Sequence, residues 1–157
     1  MSGEILRFIL LGVLACLLVA AAITDLRARI ISNRLNLAIA LLAPVYWWAC
    51  ELPVWPDAAI QTGISLFIFM LFAGFFAMGW MGGGDVKLLG ALALWFPWQA
   101  LLTMLFIMAV LGGVVTAITI IHHKMSKRLG APEVPYGVAI SLAALWLVAE
   151  RYLNQFA

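Results

Sequence analysis

Apolar runs long enough to cross a bilayer fill most of this chain, and they leave it few ways to fold. A helix needs about 20 consecutive apolar residues to span the hydrocarbon core, and residues 5–24 and 58–80 meet that length. Inside lipid no water pairs with backbone N–H and C=O groups, so each run must satisfy its own backbone as a helix. Composition removes the alternative of a water-soluble globule. Of 157 residues 66% are hydrophobic and 10% charged, against roughly a quarter charged in soluble domains. The expectation is an all-α, polytopic integral membrane helix bundle, a single unit over residues 1–157 without a separate soluble domain.

Residues 35–50 form a shorter run that ends in Trp47 and Trp48, and Pro53 and Pro56 then break the chain. After Asp85, residues 88–121 are apolar for roughly 50 Å of helix, long for one crossing and short for two. Charge decides between them. With two crossings, Arg27, Arg29, Arg34, Lys87, Lys124, Lys127 and Arg128 share one side and only Arg7 and Arg151 face the other. The bias of Lys and Arg toward the cytoplasm selects that arrangement. The fourth span is then short, residues 86–96, closed by Trp95-Phe96-Pro97-Trp98. A half-length helix at membrane depth needs protein or a water-filled cavity over its end.

With a last span over 136–156 the reading is six transmembrane helices, both termini outside. Arg7 is offset by Glu4 while three arginines follow the first run, the flank pattern of a retained span rather than a cleaved signal peptide. Trp47, Trp48, Trp55, Trp95 and Trp98 read as an outer aromatic belt. A net charge of +2 without an arginine-rich patch gives no sign of a nucleic-acid partner. Cys16 and Cys50 fall at different depths, and no disulfide is expected.

Among the seven acidic residues, Asp25 and Asp85 stand out because each sits at the end of an apolar run. Ionisable groups there are costly and mark function by default. Two crossings separate them, so both emerge on one face, the cytoplasmic one. Paired carboxylates can hydrolyse a peptide: one, ionised, takes a proton from water, and the other, protonated, hydrogen-bonds the scissile carbonyl. Like charges a few ångströms apart cannot both ionise easily, so the pair shares a proton. Helix position alone would make Asp85, at a helix start, the ionised partner and Asp25, at a helix end, the proton holder.

Gly82 and Gly84, just before Asp85, allow positive φ and close backbone approach. Asn33 reads as the cap of the second helix, and Pro135 and Tyr136 suit the start of the last one. Lys87 is either a topology anchor or a contact to a carboxylate or substrate carbonyl. His122 and His123 are adjacent and point apart on a helix, so no metal or cofactor is expected. Glu133 is a candidate contact for a basic peptide.

Gly82-Gly83-Gly84-Asp85-Val86-Lys87 resembles the Gly-x-Gly-Asp-x-Lys motif of type IV prepilin peptidases. The segment from Asp25 to Asn33 resembles that family's first aspartate motif, which ends in Ile-Pro-Asn. Pro135-Tyr136-Gly137-Val138-Ala139 is similar to its Pro-Tyr/Phe-Gly-x-Ala segment before the last helix. The resemblance keeps its order from about residue 5 to 150, and the size is similar to the short members that serve tight-adherence (Flp-type) pili. It implies an aspartic endopeptidase of the bacterial inner membrane, with Asp25 and Asp85 catalytic. Its partner would be a prepilin whose short basic leader is removed on the cytoplasmic side, ahead of a hydrophobic stem helix. Gly82, Gly84, Lys87, Asn33, Pro135, Tyr136 and Gly137 would support the site. Ser32 replaces the usual proline. The cytosolic loop of longer members, with paired Cys-x-x-Cys motifs, is missing, so proteolysis without N-methylation is expected. Nothing in the sequence sets an oligomeric state.

Three rivals remain. Presenilin-like proteases share Gly-x-Gly-Asp but are longer and carry Pro-Ala-Leu where this chain has Pro-Tyr-Gly. A small proton-coupled transporter or channel would use the two aspartates as a relay, though such proteins tend to carry repeats and midplane carboxylates. A non-catalytic scaffold for pilus assembly would not need the pair at all.

Overall fold

The computed structural model describes residues 2–125 and 134–153. Among these, six helices follow in order: α1 Ser2–Ala28, α2 Asn33–Ala49, α3 Ala59–Ala77, α4 Gly83–Ala93, α5 Trp98–Met125 and α6 Tyr136–Leu153. A π-type turn, Val54–Ala58, leads into α3, and no strand forms among the described residues. The all-α bundle and the break between α4 and α5 match expectation. Three stretches, Gly3–Ala28, Val54–Ala77 and Trp98–His122, are by length and composition able to cross a membrane. Six helices form, as expected, and over the described residues the other three are shorter or less apolar than these. Lys127, Arg128 and Glu133 lie outside the described residues, as do the side chains of His123 and Lys124.

Spacing explains the packing. Leu11, Leu14 and Leu18 recur at three and four residues along α1 and are fully buried, while Ile5, Ile9, Val19 and Ile23 point outward and stay exposed. A helix apolar on all sides has one face for the core and another for lipid. The same holds for α3, which exposes Leu66, Phe67 and Met70, and for α5, which exposes Phe106 and Val110. Water would not tolerate so wide an apolar exterior; a bilayer does. α1 and α6 run antiparallel: the rings of Phe8 and Tyr152 meet edge-on at 5.3 Å at one end, and Asp25 meets Val138 at the other.

α4 is the buried centre, with Leu88, Leu89, Leu92 and Ala93 wholly enclosed. Its C-terminal carbonyls would lack partners in lipid, and neighbouring side chains supply them. Trp47 Nε1 donates to Leu94 O at 2.8 Å. Gln61 Nε2 donates to Ala93 O and to Phe96 O. Arg151 reaches Trp95 O at 3.4 Å and lies over the Phe96 ring. The protein cover that a half-length helix demands is therefore present. Two tryptophans leave the expected aromatic belt as a result. Trp95 is buried, donating Nε1 to Ile39 O at 2.9 Å, and Trp47 is half-buried, whereas Trp48, Trp55 and Trp98 are exposed. Arg7 likewise turns to the protein and donates to Ala49 O at 2.6 Å, at the end of α2.

Two local expectations need correction. Ser32, not Asn33, caps α2: its φ is −67°, its ψ 144°, and Oγ accepts from Leu35 N–H at 3.3 Å. Gly82 has an ordinary φ of −72°, and the glycine that needs positive φ is Gly79, at 74°. There α3 stops in a Schellman turn. Gly79 N–H donates to Phe76 O at 2.9 Å and Trp80 N–H to Phe75 O at 3.0 Å, with the Phe75 and Trp80 rings stacked.

Candidate active site

Asp25 occupies the last turn of α1 and Asp85 the first turn of α4. Both are buried, at 5% and 8% exposure, and both line one cavity of about 580 Å³. They are close enough for the charge of one to act on the other. The rest of the wall comes from the turn after α1, the Gly79–Gly84 stretch, Val134 and Tyr136. Two turns and the starts of α4 and α6 thus border the space that both carboxylates line.

Each carboxylate is placed by a distant part of the chain. Val138 N–H, in the first turn of α6, donates to Asp25 Oδ2 at 3.1 Å. That bond needs α6 to come very near, and Gly137 is what lets it. A Cβ at position 137 would sit 2.8 Å from Asp25 Oδ2 and 2.6 Å from Ile31 Cδ1, distances real atoms do not adopt. On the other side, a Cβ at Gly84 would stand 3.2 Å from Ile31 O and from Ile31 Cβ. Ile31, buried, is therefore wedged between α4 and α6, and two glycines make room for it. A Cβ at Gly82 would meet Asp85 Oδ2 at 3.0 Å. The glycines act by lacking a side chain, not by unusual backbone angles.

The Val138 bond also removes a distinction. Assigning the ionised form to Asp85 used each residue's own helix. With α6 included, both carboxylates lie at helix N-termini, and helix position no longer separates them.

The remaining candidates divide. Tyr136 lines the cavity, half-buried, and Pro135, buried, immediately precedes α6. Lys87 lies on the other side of α4, where Nζ donates to Asn33 Oδ1 at 2.8 Å; neither residue borders the cavity that holds the aspartates. Three contributors went unseen in the sequence. Ile31 and the Val138 N–H leave no signal there, since an apolar residue and a backbone group look like any other. Asn36 did leave one, as a lone amide inside an apolar span. It is buried and donates Nδ2 to Gly84 O at 3.0 Å, tying α2 to the turn before Asp85. Its Oδ1 has no hydrogen-bond partner among the described residues.

Comparison with known proteins supplies the family. Residues 12–117, more than half of the chain and including both aspartates, match the type IV leader peptidase family. A curated relative is the prepilin leader peptidase/N-methyltransferase of Xanthomonas campestris pv. campestris, 28% identical over 140 residues. The aligned part is 87% of this chain and 47% of the relative, so the chain spans about half the relative's length. No solved structure matches. With its family match laid over the span that carries both buried carboxylates, the chain belongs to the type IV leader peptidase family.

Proposed function

We propose that this protein is an aspartic endopeptidase that removes the leader of Flp-type prepilins at the cytoplasmic face of the inner membrane. The observation that carries this reading is the convergence of Asp25 and Asp85, sixty positions apart, on one cavity. A water between the two carboxylates gives a proton to the ionised one while its oxygen attacks the scissile carbonyl. The protonated carboxyl hydrogen-bonds the carbonyl oxygen as charge builds there. The tetrahedral intermediate then collapses, its C–N bond breaks, and the new amine takes the proton held by the dyad. The family and the name of the relative support a prepilin as substrate. The reading is confined to hydrolysis, the chemistry that a carboxylate pair performs unaided.

Orientation follows from charge. Arg27, Arg29, Arg34 and Lys87 lie toward the end of the bundle where the dyad sits, and Arg7 and Arg151 lie at the other. The positive-inside bias then turns the dyad to the cytoplasm. The test is co-expression with a prepilin carrying a basic leader, followed by gel mobility. Conversion by the wild type and none by Asp25→Asn or Asp85→Asn supports the proposal. Conversion that survives either change, or proton flux without cleavage, ends it.

A further inference from the structure

A second cavity, about 590 Å³, lies across α4 from the dyad. Residues 85 and 87 point in roughly opposite directions on a helix of 3.6 residues per turn. Asp85 therefore faces the cavity it shares with Asp25, while Lys87, Ala91 and Leu94 line this groove. α2 and α3 form its two walls, with Leu37 and Ala40 on one and Leu66 and Phe69 on the other. Gly90 and Ala91 make the floor. A Cβ at Gly90 would press on Phe69 at 3.2 Å, so the groove is about as deep as the packing permits.

Charge is confined to one end, while the hydroxyls of Thr62 and Ser65 further along are already donated to Ala58 O and Gly90 O. At the charged end Lys87 Nζ holds Asn33 Oδ1 at 2.8 Å, and no carboxylate pairs with it among the described residues. From Lys87 the floor runs seven residues to Leu94, about 10 Å, past Gly90 and Ala91. An ammonium without an acidic partner among the described residues thus heads a largely apolar slot in the outer wall of a membrane bundle.

We propose that this groove is a binding site for an anionic phospholipid, one acyl chain between α2 and α3 and the phosphate on Lys87. Charge complementarity selects this occupant. A zwitterionic lipid brings its own cation to Lys87, and a free phosphate leaves the apolar slot unfilled. A peptide held at the dyad is kept away by α4 itself. Basic pockets between helices at the cytoplasmic leaflet have this ligand chemistry.

The test uses the full-length protein in detergent micelles, with lipid binding followed by native mass spectrometry. Phosphatidylglycerol is expected to bind about fivefold tighter than phosphatidylcholine, the worth of one lysine contact at an anionic surface. Lys87→Gln is expected to lose that preference, and Arg34→Gln, at the same end but outside the groove, to keep it. Equal binding of the two lipids by the wild type overturns the proposal, as does a preference that survives Lys87→Gln. Competition by glycerol phosphate at the concentration of the lipid would assign an anion site instead, and overturns it too. A wild-type measurement stands beside the variants. Phosphatidylglycerol with a photoreactive acyl chain should label Leu37, Ala40, Leu66 or Phe69, and labelling spread evenly over the apolar exterior refutes the site.

Discussion

Gly137 is under the tightest steric constraint in the site, since any Cβ there would overlap Asp25 and Ile31. Gly137→Ala is expected to destabilise the fold by ~1–3 kcal/mol through overpacking. By shifting Asp25 it should also slow prepilin cleavage about a hundredfold. Gly113, with nothing within 4 Å of its Cβ position, is the control: Gly113→Ala should leave the rate unchanged and the unfolding temperature unchanged or slightly raised. At the dyad, Asp25→Asn and Asp85→Asn should each lower the rate by about 10²–10⁴-fold, the usual worth of a proton-transfer group. Because a single proton must be shared by the pair, the rate should fall on both the acid and the alkaline side of its optimum. A rate that climbs steadily with pH would contradict a shared proton. The two aspartates were legible in the sequence because charge is rare there. The reason for Gly137 was not, because the atoms it accommodates belong to residues more than a hundred positions away.

α4 is the element on which the arrangement depends. It is short, enclosed, and closed at its end by side chains from α2, the start of α3 and α6. Gln61→Leu removes donors from two carbonyls at once and is expected to cost about 1–3 kcal/mol, seen as a lower unfolding temperature in detergent. That α4 and α5 are separate helices could be read from Pro97 and from the length of the apolar run. Which side chains cover the end of α4 could not. Trp47, Gln61 and Arg151 have polar groups that suit an interface as well as a helix end, and only the packing decides between them. Asn33 and Ser32 show the same limit on a smaller scale, since both are good caps and one residue of offset picks Ser32. α5 is also more than a wall. A Cβ on its Gly112 would lie beside Tyr136, and residues 113–125 continue about 20 Å further, with none buried among those whose side chains are described.

At the scale of the whole molecule, sequence order and charge bias gave the number of helices and which ends meet, because both follow from lengths and turns. Facing is a matter for experiment: in a variant lacking Cys16 and Cys50, a cysteine at Arg29 should react only from the cytoplasmic side and one at Glu51 only from outside. The family match stops at residue 117, yet the hydrogen bond to Asp25 comes from Val138. The first and last helices are thus joined through a carboxylate of the proposed dyad. A carboxylate that doubles as a clasp cannot be removed without loosening what it fastens. Asp25→Ala should lose about 1–3 kcal/mol, because it leaves the buried Val138 N–H without its acceptor, while Asp85→Asn should unfold near the wild-type temperature. For trapping an uncut leader in an intact protein, position 85 is the one to silence, and position 25 the one to leave alone.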